Sequence, residues 1–135
     1  MGHIGLLPQS YHATGGYRVQ GRTVEQQLKI KSDALALAEA GVFSIVLEGM
    51  PAQLASEITS AIPVPTIGIG AGRHCSGQIL VLHDLLGLSG DPESNNLPRF
   101  VKQYADLDNT VSEALLRFAA DVRSGQFPGP DQSYE

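Results

Sequence analysis

The feature that most constrains this chain is an alternation. Short apolar runs of strand length are each followed by a stretch with helical spacing. "HIGLL" (3–7) can begin a strand, and "PQSYHATGGYRVQGR" (8–22), rich in Pro, Gly, Ser and aromatics, reads as a long ordered loop. Thr23 is a plausible N-cap with Glu25 and Gln26 in the first turn. Leu28, Ala34, Leu35 and Ala38 then recur at helical spacing until Gly41 supplies a stop. "FSIVLE" (43–48) is a strand. "PAQLASEITSAI" (51–62) starts with Pro51 in a first turn and repeats Leu54, Ala55, Ile58 and Ile62, so a helix is predicted. "PTIGIGAG" (65–72) reads as a Gly-rich strand ending and "QILVLHDLLG" (78–87) as a fourth strand. Helical stretches are expected over roughly 97–106 and 108–124, before a polar tail at 125–135.

Strands alternating with helices imply parallel strands joined by right-handed crossovers. The runs are almost continuously apolar, as in sheets covered on both faces. Four such strands leave two edges, and neither edge carries the charges or Pro that blunt one. Half of an eight-stranded barrel fits better than a free-standing sheet. The whole of 1–135 is therefore read as one half of a single barrel domain, with 1–124 as the barrel half and its terminal helices and 125–135 as a tail. Such a half should be marginal or self-associating alone, because a closed barrel has no edges and four of its strands have two.

Composition narrows the function classes. A formal net charge of −5 offers no basic footprint for nucleic acid. No apolar run reaches the roughly 18 residues of a membrane helix, and the opening "MGHIGLLPQS" has no secretory pattern. The single Cys75 excludes an internal disulfide framework and fits a reducing compartment.

Glu48 is the first candidate for chemistry. It ends an apolar strand, and in parallel α/β architectures the carboxyl ends of strands form the active face. Gly49 beside it lets a ligand approach and Pro51 starts the next helix, so partial burial would suit Glu48 as a general base near neutral pH. The plainer alternative is a carboxylate that caps the following helix. His3, near the first strand, is more often a structural residue than a functional one, and His12 and His74 are equally ambiguous. His83–Asp84 could orient a ligand or tie down a loop. No two His stand four apart in sequence, and only one Cys is present, so no metal site is expected here. "GIGAG" (68–72) lacks the third Gly of a dinucleotide fingerprint, since Arg73 stands there, and no helix is predicted to follow. Glycine for close backbone approach is the preferred reading, with anion binding as the alternative. "GGYRVQGR" (15–22) is a lid or substrate-contact loop, or a loop held by its own packing.

Several long motifs occur in order: "GHIGLLPQS", "GGYRVQGR", "ALALAEAGVFSIVLE", "IPVPTIGIGAG", "SGQILVLHDLLGL" and "FPGPDQSY". Together they closely resemble the ketopantoate hydroxymethyltransferase family across essentially the whole chain. The resemblance implies the C-terminal half of a (β/α)8 TIM barrel, in a transferase of pantothenate biosynthesis. That enzyme moves a one-carbon unit from methylenetetrahydrofolate to the keto acid 3-methyl-2-oxobutanoate, with Mg²⁺ stabilising the enolate oxygen. It implies Glu48 as the catalytic base and His3 as a substrate-binding residue. It puts the metal-binding Asp and Glu, and the Lys and Ser that hold the keto acid, on strands preceding "GHxGL", so the Mg²⁺ ligands are expected outside this chain. The family's "E-x-V-P" is "EGMP" here, a mild change of packing. The resemblance further implies a homo-oligomer; a cytoplasmic location is expected, with a mitochondrial one open to a eukaryotic copy, and neither nucleic acid nor membrane is an expected partner. The alternative function is a non-catalytic barrel half that associates with intact subunits.

Overall fold

A computed structural model describes residues 1–89 and 97–134. The chain divides into two compact units, Met1–Leu80 and Val81–Glu135.

The first unit is α/β. Strands β1 (Gly2–Gly5), β2 (Ile45–Glu48), β3 (Thr66–Ile69) and β4 (Gly77–Gln78) form one parallel sheet in sequence order. In register, His3 lies opposite Val46 and Gly5 opposite Glu48, while Glu48 in turn lies opposite Ile69. The sheet is open, with β1 and β4 as its edges, and its order is that of consecutive strands in a TIM barrel. The connections are the predicted ones. Helix α2 (Val24–Glu39) joins β1 to β2, and α3 (Ala52–Ala61) joins β2 to β3.

Local chemistry explains α2. Thr23 accepts from the Gln26 N–H, and the Gln26 side chain accepts from the N–H of Thr23 in return, a reciprocal cap. Ile30 and Ala34 point into the core from this helix, as Leu54, Ala55 and Ile58 do from α3. They meet Ile4, Ile45 and Leu47 from one face of the sheet. Ile45 and Leu47 are completely buried, and each contributes roughly 1.5–3 kcal/mol of hydrophobic stabilisation. At the other end of β3 the buried Thr66 hydroxyl lies 2.8 Å from that of Thr59, which itself donates to the Ala55 carbonyl. Thr66 Oγ1 also accepts from the Ser76 N–H. No polar atom of this small network lacks a partner.

Three expectations are corrected. The loop 8–22 contains a 3₁₀ turn at Pro8–Ser10 and a short helix α1 (Tyr11–Thr14), closed by Gly15 in the left-handed region. The fourth strand is confined to Gly77–Gln78. The apolar residues after it form helix α4 (Leu82–Leu86) in the second unit, capped by Gly87 at φ 69°. A short apolar run does not distinguish strand from buried helix by its period, and here the bond from Leu85 N–H to the Val81 carbonyl closes a helical turn. Consequently His83–Asp84 lies within a helix, not after a strand. The stretch 97–106 holds no helix among its described residues. Val101 N–H closes a turn on Pro98 and Tyr104 N–H bonds Leu85, so helix α5 starts only at Leu107 and runs to Ser124.

Candidate functional site

The site is built at the carboxyl end of β1–β3. Side chains alternate along β2, so Ile45 and Leu47 enter the core while Val46 and Glu48 share the opposite face. His3 is paired with Val46 and therefore projects on that same face, one diagonal step from Glu48. Its Nε2 lies 2.8 Å from Glu48 Oε2. A carboxylate can only accept, so the His3 Nε2–H is the donor. The carboxylate is largely enclosed, with 15% of its side chain exposed against 38% for His3. His3 Nδ1 has no hydrogen-bond partner among the described residues, and neither does Glu48 Oε1.

The main chain fixes this end of β2 from both sides. Leu6 N–H donates to the Glu48 carbonyl at 2.8 Å, and Gly49 N–H donates to the Ile69 carbonyl at 2.9 Å. Gly5, at φ 93°, has to be glycine, because a Cβ there would run into the Glu48 carbonyl oxygen. The loop before α2 is tied to the same place, with Gln20 N–H donating to the Gly49 carbonyl at 2.8 Å. The Gln26 side-chain oxygen holds that loop by accepting from the N–H groups of Gly21 (3.1 Å) and Arg22 (3.0 Å). The site is thus a His–carboxylate pair on a clamped strand end. Chemically, such a pair can accept a proton or return one.

Of the sequence-singled residues, the fold brings together His3 and Glu48. His12 lies in α1, His74 in the turn after β3, and His83 in the second unit. Among the described residues no three His, Cys, Asp or Glu side chains cluster as a metal site would require. "GIGAG" opens no helix. It ends β3 and turns at Gly72, where a Cβ would overlap that of Ala52, so the close-approach reading holds. Sequence reasoning missed Gln20 and the loop-holding role of Gln26. The T-x-x-Q spacing of Thr23 and Gln26 was the available signal for the second.

A sequence profile for ketopantoate hydroxymethyltransferase matches residues 1–130. The chain belongs to this family. It is 54% identical over 134 residues to the 3-methyl-2-oxobutanoate hydroxymethyltransferase of Methylobacterium sp. (strain 4-46), covering 99% of this chain and 45% of that protein. Proteins of the same name from Syntrophotalea carbinolica and Pelobacter propionicus are 51% and 54% identical, over 49% and 48% of their lengths. The chain spans about half the length of the curated relatives it matches. The His3–Glu48 pair lies inside the stretch that the family profile matches. No described helix is long and apolar enough to cross a membrane.

Proposed function

We propose that this chain carries the base-bearing half of a 3-methyl-2-oxobutanoate hydroxymethyltransferase. The reaction transfers a one-carbon unit from methylenetetrahydrofolate to 3-methyl-2-oxobutanoate, giving ketopantoate for pantothenate biosynthesis in the cytoplasm, within a homo-oligomer. The observation that carries this reading is the hydrogen bond between His3 Nε2 and Glu48 Oε2 at the carboxyl end of adjacent parallel strands. Glu48 is the catalytic base. His3 occupies Oε2 and fixes the plane of the carboxylate, which leaves Oε1 to take the proton from C3 of the keto acid. Nδ1 of the same ring is the atom of His3 that can meet substrate. Water takes the one-carbon unit from its donor as formaldehyde, both carbon–nitrogen bonds breaking and tetrahydrofolate leaving. The carbanion formed at C3 then adds to the formaldehyde carbon, and the alkoxide that results takes up a proton to give the hydroxymethyl group.

The Mg²⁺ that the family resemblance implies finds no fit among the described residues. Two side chains bonded to one another do not make an octahedral oxygen set. Its ligands are expected outside this chain. The test is deuterium exchange at C3 of 3-methyl-2-oxobutanoate, followed by proton NMR. The chain would be co-expressed with the half of the Methylobacterium relative that it does not cover. Glu48→Gln should slow exchange by roughly 10²–10⁴-fold, the scale of one acid–base group, while leaving the fold intact. Near-normal exchange in that variant would remove Glu48 from its role.

A further inference from the structure

The loop that carries the Gln20–Gly49 tether also carries two arginines, Arg18 and Arg22, with no acidic residue between positions 15 and 23, in a chain of net charge −5. Both line one open pocket of about 440 Å³, together with Val19, Gln20, Thr23 and Gln26. Among the described residues no carboxylate contributes to that lining; Glu25, the nearest acid in sequence, is absent from it. The lysines that follow are neutralised, Lys29 by Asp33 and Lys31 by Glu57. Neither Arg18 nor Arg22 forms an ion pair among the described residues. The backbone beneath them is already fixed. Gln20 Nε2 donates to the Arg18 carbonyl at 2.8 Å, Gln26 Oε1 accepts from Arg22 N–H, and Gln27 Nε2 donates to the Gly21 carbonyl at 3.1 Å. Arg18 and Arg22 thus line the pocket from an ordered stretch of backbone, and each guanidinium presents the planar fork that binds carboxylates bidentately.

Position decides which anion. Arg18 and Arg22 each lie two residues from Gln20, hence within about 7 Å of it along the chain, and Gln20 is bonded to Gly49 beside Glu48. A small 2-keto acid has its carboxylate only two bonds from the carbon that Glu48 would deprotonate, whereas the arginine-lined pocket includes neither His3 nor Glu48, so a longer anion suits the pair of places better. A long donor is such an anion, with its reactive nitrogens at one end and glutamyl carboxylates beyond an aryl spacer at the other. We propose that Arg18 and Arg22 form a rim subsite for the carboxylate-bearing tail of the one-carbon donor, a reading that rests on the function proposed above.

The test needs no turnover. The side-chain Nε–H signals of the six arginines are followed by NMR in this chain, isotope-labelled and assembled with the unlabelled half of the Methylobacterium relative that it does not cover, during titration with p-aminobenzoylglutamate. The controls are 4-aminobenzamide, which lacks the carboxylates, and 3-methyl-2-oxobutanoate. Equilibrium dialysis gives the affinity independently. Arg18 and Arg22 should shift saturably with the glutamyl probe alone. Arg18→Ala/Arg22→Ala should weaken binding by roughly tenfold or more, the scale of charge-assisted hydrogen bonds, and the double Lys variant should recover part of it. Parallel shifts of all six arginines, equal binding of 4-aminobenzamide, preference for the keto acid or no saturable binding would each overturn the proposal. Loss of C3 exchange in Glu48→Gln reports on the base alone, so the two readings fail separately.

Discussion

The two units use apolar residues in opposite ways. In residues 1–80 they make a core: Ile45, Leu47, Ala55 and Ile58 are essentially sealed from solvent. Among the described residues of 81–134, Gly87 alone is buried. Helix α5 has no buried residue, although Leu115, Leu116 and Phe118 lie along it, each more than half exposed. Both regions contain amphipathic helices, so amphipathicity by itself does not make a core. In the first unit each helix is a crossover between parallel strands and is delivered onto the sheet by that connection. Among the described residues of its own unit, helix α5 follows no strand. The site residues belong to the region with the core, as the positioning of a catalytic carboxylate requires.

The contrast is broken or sharpened most strongly by truncating one leucine in each region. Leu47→Ala should cost about 2–5 kcal/mol through lost burial and a residual cavity, read as a lowered urea midpoint by circular dichroism. Leu116→Ala should stay within about 0.5 kcal/mol of the parent. Equal costs would mean that α5 is buried against something in solution and that the contrast is false.

Gly5→Ala should come next, at about 1–3 kcal/mol, since it adds strain at a positive φ and forces the Glu48 carbonyl aside. It should also reduce C3 exchange, because the same carbonyl anchors the end of β2. A variant as stable and active as the parent would show that the clamp on Glu48 is dispensable.

The smallest effect lies on the outer surface of the first unit, where Lys31 bridges α2 to Glu57 of α3. The Lys31 hydrogen bond, followed by that from Gln53, holds the Glu57 carboxyl below its ordinary value. A carboxyl whose folded value is depressed stabilises the fold above its unfolded value, and that contribution disappears as pH falls through the folded one. The exposed setting keeps it small. Urea midpoints of the parent and Lys31→Met should therefore converge as the solution is acidified below the ordinary carboxylate range. A gap that persists there would assign the lysine's contribution to packing of its alkyl stem.

The sequence by itself determined the elements whose signals are local. Thr23 and Gln26 announce the start of α2 because the cap spans three residues, and Leu54, Ala55 and Ile58 announce α3 because one turn returns them to one face. Glu48 was legible as a strand-end carboxylate for the same reason, since "SIVLE" and the following Gly and Pro lie within a few positions. "QILVLHDLLG" was misread because a short apolar run is compatible with either backbone, and only the pairing of Gly77 and Gln78 with β3, followed by a helical turn at Val81–Leu85, selected between them. Tertiary structure alone decided that His3 meets Glu48 across 45 positions. That contact depends on the parallel register of β1 and β2, and register is a property of two strands together. A slip of one residue would put His3 on the core face with Ile45 and Leu47, and neither segment alone names Glu48 as the residue that His3 meets.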